Sequence, residues 1–197
     1  MTELLAVPAA EEVVADRAHR PAAGGRFRPG TGITDARPGD VVLIHGVGRL
    51  ATFIRFFQRL RYRSPNDRPL TYWSHAALVV HSEGYLIEVL HTGVVMSSIK
   101  KYRDQDYYCV RLGLSEADRR AAARFAFSCL RQKYGALGFV LLGFSLLSGD
   151  LFEVPDRGQQ GCAAMIVRAL EQAGLKFDRK PPDMMPCDLA KHFGVVP

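Results

Sequence analysis

Residues 73–90, WSHAALVVHSEGYLIEVL, contain two apolar runs separated by the turn pair Glu83-Gly84. A tight turn between two such runs is typical of a β-hairpin. Further extended segments follow at 94–97 and 107–112 after short gaps, which require antiparallel pairing because parallel neighbours need a long crossover. We therefore predict an antiparallel sheet built around this hairpin.

Outside the hairpin, the apolar spacing indicates one more strand and several helices. A strand is predicted at 41–44, and Phe53, Phe56, Phe57 and Leu60 fall at i, i+3, i+4 and i+7, the spacing of one helix face. The remaining predicted helices cover residues 115–132, opened by the capping pair Ser115 and Asp118, and residues 134–147, 162–173 and 188–193. The predicted fold class is α+β, a small antiparallel sheet with segregated helices.

Composition places the chain among globular proteins with one folded domain. It has 197 residues, of which 48% are hydrophobic and 23% are charged. Residues 1–36 are rich in Ala, Gly, Pro and Arg and are interpreted as a flexible tail, whereas residues 37–197 form the predicted domain.

The longest apolar run, 136–147, is too short to span a bilayer as a helix. The N-terminus shows no secretory signal pattern, so we expect a cytoplasmic protein.

Charge and cysteine content limit the expected partners and cofactors. The net charge is +6, and six arginines lie between Arg49 and Arg68, which fits an anionic membrane surface or an acidic substrate. No helix-turn-helix, zinc-finger or RNP-type pattern accompanies this charge, so nucleic acid is not an expected partner. None of the four cysteines lies in a C-x-x-C pair. We therefore expect free thiols in a reducing cytosol, no metal and no cofactor.

The predicted helix around Phe53 and Phe56 also carries an arginine stripe formed by Arg55, Arg59 and Arg63. In one interpretation the aromatic face packs on the sheet and the arginines are solvated. In the other, this basic amphipathic helix binds a membrane surface. We expect the first arrangement.

Residues 45–51, HGVGRLA, match the G-x-G-x-x-A dinucleotide fingerprint. The fingerprint also needs a second parallel strand that ends in an acidic residue about twenty positions further on. Asp67 has that spacing but lies in a Pro-Asn-Asp-Arg-Pro loop. We therefore interpret the segment as a glycine-rich turn from a strand to a helix.

A cysteine, a histidine and a glutamate form a candidate catalytic set. Cys162 begins a predicted helix, where the helix dipole and free backbone N–H groups favour the thiolate form of a cysteine. His75 starts the first hairpin strand and Glu88 lies near the end of the second. The turn therefore brings the two residues to similar positions along the paired strands. An imidazole can pass a proton from the thiol to a leaving group, and a carboxylate can orient that imidazole. His91 is an alternative orienting residue.

The order of these residues resembles the permuted papain-fold branch of the NlpC/P60 superfamily, the YiiX/YebB-like cysteine hydrolases. In that family a Gly-Asp strand opens the domain, a Ser-His strand carries the histidine, a Glu follows on the next strand, and the nucleophilic cysteine comes late, at a helix start. The matching residues here are Gly39-Asp40, Ser74-His75, Glu88, Tyr134-Gly135, Cys162 and the closing Pro186-x-Asp188-Leu189-Ala190. The resemblance covers about residues 38–193 and implies a circularly permuted papain-like fold.

The residues next to the nucleophile depart from the family pattern. The family often has Cys-Ser-Glu, where this chain has Cys162-Ala163-Ala164, which leaves the substrate class open. Gln159 and Gln160 precede the cysteine, and a side-chain amide at that position can donate to an oxyanion. Tyr134 and Gln160 are therefore the predicted pocket or oxyanion residues.

The predicted function is that of a thiol hydrolase or acyl transferase acting on an amide, ester or thioester bond. Cys162 is the predicted nucleophile, His75 the proton carrier and Glu88 the residue that orients His75. The expected substrate is a small molecule, a peptide or a lipid. The alternative is a non-catalytic lipid-binding or membrane-surface-binding protein on the same fold, attached peripherally to the membrane.

Overall fold

Six antiparallel strands form one sheet in the computed structural model, which describes residues 21–132 and 161–197. The strands are β1 (Pro21–Phe27), β2 (Val41–His45), β3 (His75–Val79), β4 (Tyr85–Leu90), β5 (Gly93–Ser98) and β6 (Asp106–Leu112). Their order across the sheet is β1-β6-β2-β3-β4-β5, and every neighbouring pair is antiparallel. The predicted α+β class with an antiparallel sheet is confirmed.

The helices of the described ranges follow the predicted order. They are α1 (Arg49–Arg61), α2 (Glu116–Ser128), α3 (Cys162–Glu171) and α4 (Pro186–His192). Short 3-10 segments occur at Arg68–Tyr72, Ile99–Tyr102 and Pro181–Asp183. The side chain of Ser115 accepts a hydrogen bond from the Asp118 backbone N–H and caps α2, as predicted. The helix predicted at 134–147 lies outside the described residues.

The hairpin of β3 and β4 forms the centre of the structure. Gly84 turns the chain with φ of 79°, and a Cβ there would lie 2.7 Å from the side chain of Ile99, so the turn requires glycine. One sheet face is covered by α3, and the other packs against further buried side chains that include Ile99 and Tyr102. Because both faces are buried, the hairpin strands are continuously apolar instead of alternating.

Strand β1 changes the predicted boundary of the folded part. Pro21–Phe27, assigned above to the flexible tail, pairs along β6, and Arg26 forms an ion pair with Asp106. Gly24 lies inside this strand, and glycine is required there because a Cβ would lie 2.5 Å from the Tyr108 side chain. The folded part therefore includes residues before Arg37, and residues 1–20 lie outside the described ranges.

A buried ion pair connects the start of β2 to α2. Arg119 contacts Asp40 through Nη1 and Oδ1 at 3.0 Å and also donates to the carbonyl oxygens of Pro38 and Leu112. Both side chains are almost completely removed from solvent. The Gly39-Asp40 pair that opens the domain thus has a structural role, since the guanidinium holds the turn before β2 against the helix.

Replacing Asp40 with alanine should lower the free energy of unfolding by about 3–5 kcal/mol, because the buried Arg119 guanidinium is left without its counter-charge. Denaturant unfolding followed by circular dichroism measures the change. The matched control is Asp35→Ala, which removes an exposed carboxylate paired with Arg111 and should cost much less. Equal losses in the two variants would contradict this assignment.

Helix α1 does not bury the aromatic face that was expected to pack on the sheet. Its fully buried residues are Ala51 and Gln58, whereas Phe53 and Phe56 are exposed. The Gln58 side chain donates to the carbonyl oxygens of Trp73 and Thr71 and accepts from the Cys187 N–H at 2.9 Å. These three bonds turn the amide inward and the aromatic face outward, so the expectation that this face packs on the sheet is wrong.

The glycine-rich segment after β2 forms a turn from a strand to a helix. The Gly46 N–H donates to Ser74 Oγ at 3.0 Å, and Gly48, with φ of 94°, immediately precedes α1. Both sheet neighbours of β2 are antiparallel, in contrast to the parallel pair that dinucleotide binding requires.

Within the described ranges no helix has the length and apolarity needed to cross a bilayer.

Candidate active site

His75 and Glu88 meet across the central hairpin. Glu88 lies opposite Ala77, two residues after His75, and this diagonal register places the two side chains on one face of the sheet. The imidazole Nε2 and the carboxylate Oε2 are 2.7 Å apart. The contact predicted from the hairpin spacing is therefore present, and the Nε2–H donates to an ionised carboxylate.

The Glu88 carboxylate is fully buried and accepts from four side chains. Oε2 accepts from His75 and from the Tyr102 hydroxyl, and Oε1 accepts from Ser97 and from the Lys101 ammonium. Ser97, Lys101 and Tyr102 are site residues that were not predicted from the sequence. The available signal was Glu88 itself, because a lone carboxylate in an apolar strand must have buried donors nearby.

These donors hold Glu88 in its charged form. Burial alone would raise the pKa of Glu88, but the hydrogen bond and charge of His75, together with Lys101 and Ser97, lower it to about 2. The carboxylate is therefore ionised at every physiological pH. With both oxygens engaged, Glu88 has one orientation in which to present a negative charge to His75.

Cys162 is the first residue of α3, as predicted. The helix packs on the opposite sheet face from Glu88, and His75 reaches the thiol because it lies at the very start of β3. Burial lowers the pKa of His75, but hydrogen bonds to Cys162 and Glu88 outweigh that effect and raise it to about 9. The imidazole is therefore protonated at neutral pH. Since Nε2 donates to Glu88, Nδ1 is the nitrogen left for the thiol.

The other three cysteines have different surroundings. Burial raises the pKa of Cys109 to about 12 and also raises the pKa values of Cys129 and Cys187. These thiols are neutral at physiological pH, and all three belong to the buried interior. Cys162 differs from them in its interaction with an imidazole, that of His75, whose pKa it raises.

The remaining predicted residues are placed as follows. His91 follows β4 and its side chain is exposed, so the structure brings Glu88 and not His91 to His75. Tyr134, Gln159 and Gln160 lie outside the described residues. Across 21–132 and 161–197, no three His, Cys, Asp or Glu side chains are grouped to hold a metal ion.

No protein-family model matches the chain, and no curated protein matches it. The chemistry of the site is therefore argued from its own geometry. That geometry joins a thiol at a helix start to a protonated imidazole, and the imidazole to a buried carboxylate.

Proposed function

We propose that this protein is a cysteine hydrolase or acyl transferase that cleaves an amide, ester or thioester bond. The observation that carries the proposal is the place of His75 between two groups: its Nε2 is 2.7 Å from Glu88 Oε2, and the Cys162 thiol interacts with the same imidazole and raises its pKa. A nucleophile, a base and an orienting group connected in this order are what acyl transfer requires. The three residues come from a helix and two strands, elements that hold side chains more rigidly than loops do.

In the proposed reaction, the Cys162 sulfur attacks the carbonyl carbon of the substrate while the thiol proton resides on His75 Nδ1. The oxyanion of the tetrahedral intermediate accepts hydrogen bonds from backbone N–H groups in the first turn of α3, which lack acceptors within the helix. The bond to the leaving group then breaks, and His75 transfers the proton to the departing nitrogen, oxygen or sulfur. An acyl thioester on Cys162 remains.

The second half of the reaction returns the free enzyme. Water, or an acceptor hydroxyl or amine, attacks the acyl thioester while His75 takes its proton. The C–S bond breaks, the acyl group leaves as an acid, an ester or an amide, and the imidazolium and thiolate form again. Glu88 stays ionised throughout and keeps Nε2 protonated, so Nδ1 carries every proton that is exchanged.

We further propose that the fold is the circularly permuted papain-like fold of the NlpC/P60 superfamily. Its support is the order of elements: histidine and glutamate on neighbouring antiparallel strands, followed by the cysteine at the start of a later helix. The Cys162-Ala163-Ala164 sequence departs from the family's usual Cys-Ser-Glu, so the proposal does not extend to the substrate class.

Alkylation of the four cysteines by iodoacetamide, followed by peptide mass spectrometry, tests the nucleophile and base. Only 3% of Cys162 is exposed, so a small reagent is needed. At neutral pH we expect Cys162 to react at least about ten times faster than Cys109, Cys129 and Cys187, because it lies against the His75 imidazole whereas the other three are buried neutral thiols, which are inert. In His75→Ala this advantage should disappear.

His91→Ala is the matched control, since it removes a second histidine just after the same hairpin strand and should leave the alkylation rates unchanged. Equal reactivity of all four cysteines in the wild type would contradict the proposal. So would an unchanged Cys162 rate in His75→Ala. Either outcome would favour the alternative of a non-catalytic binding protein, which has no need for a reactive thiol.

A further inference from the structure

The outer face of α1 is apolar and exposed. Along this helix and the turn before it, four side chains keep large exposed fractions: Val47 73%, Leu50 45%, Phe53 40% and Phe56 55%. The protein-facing side of the helix carries Ala51 and the buried Gln58. A helix at the surface normally shows the reverse arrangement, with its apolar stripe inward.

The aromatic rings of α1 contact one another within the helix. The ring centroids of Phe53 and Phe57 are 4.5 Å apart, and those of Phe56 and Phe57 are 5.5 Å apart. Single exposed apolar residues are common on protein surfaces, but a contiguous exposed cluster marks an interaction site. We name the four exposed residues Val47, Leu50, Phe53 and Phe56 the α1 apolar face.

The surroundings of the α1 apolar face are strongly basic. Between Asp40 and Asp67 the chain has no acidic residue and carries five arginines. Arg55 and Arg61 are held by the carbonyl oxygens of Gly46 and Asp183, but Arg49 and Arg59 are exposed and have no ion-pair partner in the described ranges. The face therefore combines aromatic side chains with uncompensated positive charge.

We propose that the α1 apolar face docks on an anionic lipid surface. Helices that lie in a membrane interface combine Phe and Leu on one side with Arg or Lys beside them. Negative headgroups attract the unpaired Arg49 and Arg59, and the aromatic rings enter the boundary between headgroups and acyl chains. A purely apolar partner protein would leave these guanidinium groups without counter-charges.

The docking face lies at the same end of the sheet as His75. Ile44, near the end of β2, pairs with His75 at the start of β3, and α1 begins four residues after that strand. The Gly46 N–H and the Arg55 guanidinium both bond to Ser74 Oγ, which ties α1 to the residue before His75. Docking through α1 therefore brings this end of the sheet to the lipid surface. Lipid docking does not depend on the proposed chemistry.

Vesicle co-sedimentation of the full chain tests the proposal, with Cys162→Ser as the background so that catalysis plays no part. The probes are vesicles of phosphatidylcholine alone and of an equimolar mixture with phosphatidylglycerol. We expect binding to the mixed vesicles that weakens as salt is added. Arg49→Gln with Arg59→Gln should reduce it by about five-fold for each arginine removed. Phe53→Ser with Phe56→Ser should reduce it by at least about ten-fold.

The second helix supplies matched controls. Phe127 is an exposed aromatic residue on α2, and Arg120 and Arg124 are exposed arginines on the same helix. Phe127→Ser and the double variant Arg120→Gln, Arg124→Gln should bind the mixed vesicles like the background protein. Loss of binding in these controls equal to that in the α1 variants would overturn the proposal.

Other occupants of the face give distinct results. Absence of binding to both kinds of vesicle overturns the proposal. A dimer in sedimentation velocity without vesicles that Phe53→Ser with Phe56→Ser abolishes would assign the face to a second copy of the chain. A fall in Tm in that double variant well beyond that of Phe127→Ser would show that the face packs inside the protein. Both outcomes overturn lipid docking.

Discussion

Replacing Cys162 with serine should reduce turnover of an activated ester such as p-nitrophenyl acetate by at least about a thousand-fold. A serine hydroxyl is a far weaker acid than a thiol and keeps its proton at neutral pH, so the variant lacks the reactive sulfur nucleophile. The measurement is release of p-nitrophenol, both as an initial burst and at steady state. Intact-protein mass spectrometry should detect an acetyl group on the wild type and none on Cys162→Ser.

Cys129→Ser is the matched control for this substitution. Cys129 follows the end of α2, and burial raises the pKa of its thiol, so it should not act as a nucleophile. This variant should keep both the burst and the steady rate. Full turnover in Cys162→Ser, or an acetyl group found on Cys129 in the wild type, would remove Cys162 from the proposed mechanism.

Replacing Glu88 with glutamine should lower kcat/KM for the same ester by about a hundred-fold or more. Glutamine is nearly isosteric but neutral, so His75 loses the charge that holds its proton. In the wild type the pKa of His75 is raised from its ordinary value of 6.5 to about 9, and the imidazolium is present below that pH and lost above it. The alkaline limb of the wild-type pH–rate profile should therefore lie near 9.

In Glu88→Gln the alkaline limb should move below 9, because the pKa of His75 loses the raising effect of Glu88 while burial, which lowers it, and Cys162, which raises it, both remain. Glu83→Gln is the control: Glu83 is an exposed residue of the hairpin turn, and its replacement should leave the profile unchanged. A Glu88→Gln profile with an alkaline limb still near 9 would show that Glu88 does not set the charge of His75. A thermal melt of each variant separates this effect from a loss of folding.

The central part of the fold was predictable because its signals are local. A two-residue turn between apolar runs predicts a hairpin, and the hairpin register then determines that His75 and Glu88 share a sheet face. The start of α3 at Cys162 follows from helical spacing alone. His75 and Glu88 could thus be paired from the hairpin segment alone. Grouping Cys162 with them needed only the order of the elements along the chain.

The features that the sequence did not reveal depend on distant contacts. The glycine content of residues 1–36 indicates a flexible tail, but Gly24 is a strand residue whose missing side chain leaves room for Tyr108 on another strand. The aromatic spacing of α1 indicates that its aromatic face is buried. Instead, Gln58 forms hydrogen bonds with backbone groups of Trp73 and Cys187, so the Gln58 face is buried and the aromatic face is exposed. Lys101 follows the next strand and meets Glu88 only after β5 has paired with β4.

Strand β1 also determines which edge the sheet presents to other molecules. Its pairing with β6 satisfies a row of backbone N–H and C=O groups that would otherwise point into solvent. A shortened chain that begins at the predicted boundary, residue 37, would leave β6 as an open template on which a second molecule can add a strand. The segment interpreted from composition as a flexible tail thus covers β6 and is itself the edge strand of the sheet.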